Sequence, residues 1–119
     1  MEEISAYKLA CIIARALDSK KGVDIKILNI GNVSVLADYF VICSGDSTTQ
    51  VRALSETVKA KVKELFQRKP CGDEKDAKNH WNLVDYGDVV VHILYKEERE
   101  TYALEKFWSH AFTVDEEKW

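Results

Sequence analysis

Asp85 and Asp88 stand three residues apart across a Tyr-Gly pair, inside the stretch "HWNLVDYGDVVVHIL" (80–94). Two carboxylates this close could work as general acid and base, or could hold metal ions. Two-metal nucleotidyl transfer needs acids converging on ions about 4 Å apart, usually beside a glycine-serine turn that holds phosphates. "SGDS" (44–47) resembles that turn and precedes a helix start, whose exposed amides could bind an anion. A nucleotide-binding or nucleotidyltransferase-like enzyme would therefore use Ser44, Gly45 and Ser47 for phosphate and Asp85 or Asp88 for metal. Against this, Asp46 puts negative charge where phosphate would sit, and no alternating acid pair follows on the next strand. A capping role for Ser47 and a turn at Gly45 explain the motif with fewer assumptions.

Nucleophilic arrangements fare no better. Cys43 with His92, or Ser47 with His80 and Asp85, can be written as a dyad or a triad, but their spacing is not diagnostic. Cys43 lies in an apolar run, where cysteine behaves as an inert small hydrophobe. His92 shares a strand face with Val90 and Leu94 and reads as a buried structural histidine. His80, His92 and His110 have neither an i, i+4 partner nor a companion CxxC, so metal ligation has no support. The expectation is no catalytic residue, no metal and no cofactor.

Recognition is the remaining chemistry. If 81–86 is a strand, Trp81, Leu83 and Asp85 point one way and Asn82, Val84 and Tyr86 the other. Trp and Tyr at strand ends can anchor a partner, because they bury large area at small entropic cost. Residues 73–88 carry Asp73, Glu74, Asp76, Asp85 and Asp88 against Lys75 and Lys78, an acidic patch suited to a basic protein. Spacing alone leaves Trp81 balanced between core and contact.

The elements that must position these residues are legible as patterns. Residues 3–20 carry an apolar stripe at helical spacing, with Lys20-Lys21 at the end and Gly22 as a stop. "VDIKILNIG" alternates as a half-exposed strand, and "DYFVICSG" (38–45) is a shorter buried one. Ser47 and Gln50 form a capping box for a helix that runs through Val51, Leu54, Val58, Val62, Leu65 and Phe66 and ends near Lys69, before Pro70. A polar loop, "PCGDEKDAKNH", then leads to strands at 81–86 and 89–95. "EERETYALEKFWSHA" closes as a helix with Tyr102, Leu104, Phe107, Trp108 and Ala111 on one side. The order α-β-β-α-β-β-α implies an α/β fold, a small mixed β-sheet flanked by helices. One domain is expected over 1–112, with 113–119 as a short tail.

Size and charge narrow the class. A chain of 119 residues can bury one core, and a net charge of −3 argues against nucleic acid as the main ligand. Three scattered cysteines fit neither a disulfide framework nor a zinc module, which favours a reducing compartment. Glu2 and Glu3 stand where a signal peptide would be basic, and no apolar run approaches the ~20 residues that span a bilayer. A cytoplasmic protein with no membrane contact is expected.

Three blocks carry a family resemblance: "ADYFVICSGDS" (37–47), "HWNLVDYGDVVVHIL" (80–94) and "RETYALEKFW" (99–108). Together they resemble the signature of the ribosomal silencing factor, or Iojap, family across nearly the whole chain. The resemblance implies a non-enzymatic translation repressor. Such a protein binds the large ribosomal subunit through its protein fourteen and sterically blocks joining of the small subunit in starvation or stationary phase. It implies a core like that of nucleotidyltransferases without the catalytic acids, and frequent homodimers. By motif position it makes Trp81 the interface tryptophan, with Asp85, Tyr86, Gly87 and Asp88 in the block behind it. Arg99, Glu100, Tyr102, Leu104, Glu105 and Trp108 match the last-helix block, in which Arg99, Glu100 and Tyr102 are expected contacts. Glu74 belongs to the partner-binding set, although Lys75 replaces a glycine usual in the family. Asn82 stands where a β-branched or apolar residue is usual, which implies that its strand face is not fully buried.

Overall fold

The computed structural model describes residues 5–31, 37–75, 77–102, 112–114 and 119. Helix α1 (Ala6–Ser19) starts at Ser5, whose Oγ caps it by accepting the Lys8 amide at 3.2 Å. The helix ends with Lys21 in the left-handed region (φ 63°), while the Gly22 amide reaches back to the Leu17 carbonyl at 2.9 Å. Gly22 is needed for a different reason from the expected stop: a Cβ there would sit 2.6 Å from Cys43 Sγ.

Strand β1 (Val23–Asn29) opens with an irregular register between Val23 and Lys26 and then pairs antiparallel with β2 (Tyr39–Gly45). Helix α2 (Thr48–Phe66) has Ser47 as N-cap, its Oγ accepting the Gln50 amide at 3.1 Å. Gln50 reaches back one residue further than a capping box requires: its Oε1 accepts the Asp46 amide, and its Nε2 donates to the Lys21 carbonyl. The helix closes on left-handed Gln67, three residues short of Pro70.

The stretch read as a polar loop contains a strand, β3 (Gly72–Lys75), antiparallel to β4 (Trp81–Asp85). Its residues show no apolar alternation because β3 is an edge strand with one partner and three exposed residues. β4 continues into β5 (Val89–Tyr95), followed by α3 (Lys96–Tyr102) and β6 (Phe112–Val114). Strand β6 pairs with β1, so part of the expected tail belongs to the sheet, and Arg15 Nε donates to the Trp119 carbonyl at 2.9 Å. The last helix was expected through residue 111; positions 103–111 lie outside the described residues.

The sheet order is β3-β4-β5-β2-β1-β6, with β2 and β5 parallel and the other neighbours antiparallel. The fold is the expected mixed α/β sheet with flanking helices, carrying two strands more than the sequence pattern reveals. Both α1 and α2 pack on one face through Leu9, Ile13, Leu17, Val51, Leu54, Val58 and Val62, against Ile27, Val41, Val84, Val91 and Ile93. The opposite face has its own apolar cluster, including Phe40, Ile42, Val90 and Leu94, with Trp81 and Leu83 packed at its border. β2 and β5 are buried on both faces, as parallel neighbours at a sheet centre require.

Candidate functional site

Strand β4 places the site because its two faces meet different surroundings. Trp81, Leu83 and Asp85 are half-buried and alternate with fully buried Asn82 and Val84. The expected division of side chains between faces is therefore present. Glu74 lies opposite Leu83, and directly paired residues share a face. Trp81, Leu83, Glu74 and Asp85 accordingly form one surface at the β3–β4 end of the sheet.

Beneath it, His92 lies opposite Leu83 on β5 and is buried, as its spacing implied. Trp81 Nε1 donates to His92 Nδ1 at 3.3 Å, and the Phe40 ring meets the imidazole edge-on with centroids 4.7 Å apart. Burial pushes the His92 imidazole down to about 4, against a smaller opposing influence from the Asp85 carboxylate.

The turn after β4 explains both aspartates. Asp85 Oδ1 accepts the Gly87 amide at 2.7 Å, and Gly87 has φ 89°, a conformation that suits glycine. The Asp88 carboxylate takes Arg68 Nη2 at 3.0 Å, and its backbone carbonyl accepts the Asp38 and Tyr39 amides. Arg68 Nη2 also donates to the Tyr86 carbonyl, and its guanidinium lies 5.6 Å from the Tyr86 ring centroid. Arg68, from the end of α2, is a clamp that the sequence reading missed. An arginine just past a helix carries no signal of what it will hold.

Two proposed contact residues are corrected by burial. Tyr86 is 1% exposed: it belongs to the core under α2, and burial pushes its hydroxyl up to about 12. Its side chain cannot anchor a partner. Arg99 is buried as well, donating to Ser44 Oγ at 2.9 Å and to the Asp24 carbonyl at 2.9 Å. It ties α3 to the ends of β1 and β2. Glu100 and Tyr102 lie on α3, but their side chains fall outside the described residues, as do Leu104, Glu105 and Trp108.

Asn82 overturns the expectation that its face is open. It is 0% exposed and donates from Nδ2 to Ser55 Oγ at 3.0 Å and to Asn79 Oδ1 at 3.3 Å. A serine on α2 supplies the partner that lets an amide occupy an apolar position.

The acidic patch is weaker than its residue count. Asp73 pairs with Lys59 at 2.7 Å and Asp88 with Arg68, while Lys75 is taken by Glu56 at 2.9 Å. Burial opposes the Lys59 charge, yet hydrogen bonds to Asp73 and Glu56 outweigh it and push the ammonium up to about 12. Hydrogen bonds from Lys75 and Lys59 hold the Glu56 carboxyl below its ordinary range. Glu74 and Asp85 remain as rim charges on the Trp81 surface.

The residues of the enzymatic alternative are committed elsewhere. Ser44 holds Arg99, Ser47 caps α2, and a Cβ on buried Gly45 would meet Val51 at 2.8 Å. Burial pushes the Cys43 thiol up to about 12, far from a thiolate nucleophile. Among the described residues no three His, Cys, Asp or Glu side chains cluster as a metal site.

A small mixed-sheet α/β protein that carries a half-buried tryptophan and leucine at the border of one sheet face is the class these features define. Residues 3–118 match the family described as "Ribosomal silencing factor during starvation". The chain is similar to the ribosomal silencing factor of Bacillus subtilis, 41% identical over 116 residues, covering 97% of this chain and 94% of that one. A mouse protein named "Mitochondrial assembly of ribosomal large subunit protein 1" is 37% identical over 89 residues, covering 72% of this chain and 39% of that protein. A crystal structure of a Chromobacterium violaceum protein superposes with a TM-score of 0.84 at 33% identity, covering 89% of this chain and 88% of that one. This chain belongs to the ribosomal silencing factor family, whose names mark ribosome-associated regulators of translation.

Proposed function

We propose that the chain binds the large ribosomal subunit through its protein fourteen, on the face where the small subunit docks. Bound there, it prevents subunit joining and represses translation in starvation or stationary phase. The observation that carries this reading is the half-buried Trp81–Leu83 pair at the border of an otherwise buried apolar face. A flat indole beside a leucine, rimmed by Glu74 and Asp85, has the make-up of a binding hot spot with a polar rim. The large-subunit role in the mouse relative's name supports the same target.

The mechanism is occlusion and requires no bond to be made or broken. An interface of ordinary size, about 1,600 Å² in total, is sufficient. Gly87 and Asp88 contribute by shaping the adjoining turn. The free protein is a homodimer in this reading, and light scattering at several concentrations checks that. Among the described residues no helix is long and apolar enough to cross a membrane, and the cytoplasm is where this target would be met.

The test is co-sedimentation of Trp81→Ala with purified large subunits, with folding followed by circular dichroism. The expected result is a folded protein that binds at least about 30-fold more weakly, the loss typical of a hot-spot residue. Undiminished binding by the folded variant would move the interface elsewhere. An unfolded variant would make Trp81 a core residue.

A further inference from the structure

The geometry around Trp81 says how it can be read by a partner. An indole N–H only donates, so the 3.3 Å contact from Trp81 Nε1 requires His92 Nδ1 to be the unprotonated acceptor. The imidazole also packs edge-on against Phe40, with ring centroids 4.7 Å apart. It is buried on β5, directly across from Leu83, and lies with its ring centroid 6.1 Å from that of Trp81. His92 thus draws the one polar atom of the Trp81 side chain toward the sheet.

We infer that His92 is a positioning residue for Trp81, and that the partner meets the indole as an apolar ring, through a socket of apolar side chains. The inference rests on the docking role proposed for Trp81. It assigns a task to a buried histidine that neither catalysis nor metal binding claims. It also sets the specificity: a socket built around a hydrogen-bond acceptor would leave that acceptor unmatched, because the indole N–H is already engaged.

Two measurements test this. In the free protein, the ¹⁵N shifts of His92 should show an unprotonated Nδ1 and a protonated Nε2. Trp81→Phe assigns the Trp81 indole signal by its disappearance, and His92→Leu should shift that signal. The opposite tautomer, or an indole signal indifferent to His92→Leu, overturns the positioning role without touching the docking reading. The second measurement is a double-mutant cycle of His92→Leu and Trp81→Phe, read as binding to purified large subunits. His92→Leu should weaken binding about fivefold when Trp81 is present and less than about twofold in the Trp81→Phe background, the loss of one hydrogen bond. Equal losses in both backgrounds mean that His92 acts through packing alone, and overturn the inference. If Trp81→Ala leaves binding unchanged, the docking reading fails and the apolar socket falls with it. The shift measurement then still decides whether His92 holds the indole. Should His92→Leu fail to fold, the wild-type tautomer alone supports or overturns the positioning role.

Discussion

The two faces of β4 are built from five consecutive residues and reach opposite ends. Toward α2, Asn82 and Val84 are sealed, and Tyr86 follows them into the core. Away from α2, Trp81, Leu83 and Asp85 stay half-exposed over a buried histidine. Residue type does not separate the faces, since the sealed side holds an amide and the open side holds the tryptophan. Among the described residues, α2 brings Ser55 to Asn82, whereas Trp81 leans on His92 within the sheet and stays half-buried. That half-open aromatic ring, on a strand paired along both edges, is the feature on which the proposed docking surface rests.

The sharpest way to break this contrast is to empty the sealed face. Tyr86→Ala should lower stability by about 3–5 kcal/mol, the range for large aromatic truncations in a core, seen as a lower urea midpoint. Affinity per folded molecule should persist, because the Tyr86 ring faces α2. Acid probes the open face through His92. Its folded value near 4 lies below the unfolded value of about 6.5, so the unfolded chain binds the proton more readily. This contribution is fully present above about pH 6.5 and is lost as pH falls toward 4, by about 3 kcal/mol in all. Urea melts at several pH values should show that component in the wild type and lack it in His92→Leu.

Smaller effects refine the comparison. Ser55→Ala removes one acceptor from the buried Asn82 amide and should cost about 1–2 kcal/mol. The pair Ser55→Ala with Asn82→Val removes both partners and should recover most or all of that loss by the same melts. Smallest of all is the salt effect. With Asp73 and Asp88 already paired inside the protein, raising salt from about 0.1 to about 0.5 M should weaken subunit binding only severalfold. A steep salt slope would restore the acidic patch to a leading role.

Much of this arrangement was legible in the sequence because it rests on periodicity. The helical stripes of α1 and α2, the continuous apolar runs of β2 and β5, and the alternation of β4 each follow from burying one face of a regular element. The missed features depend on partners distant in the chain. Asn82 is buried because of Ser55, 27 positions away, and Arg99 because of Ser44 and Asp24. β3 and β6 sit at the sheet edges and are only four and three residues long, too short to show a period. Within the site, sequence spacing placed Trp81 and Asp85 on one side of the strand. It could not tell that Tyr86 would turn inward or that His92 would take the indole N–H.

A chain seated through Trp81 should keep the ribosomal subunits apart. Sucrose-gradient sedimentation of mixed large and small subunits, with the wild-type chain or Trp81→Ala added, measures this directly. The wild type should leave the subunits separate, and folded Trp81→Ala should let them join. A wild-type chain that permits joining, or a Trp81→Ala variant that blocks it equally well, would contradict the account.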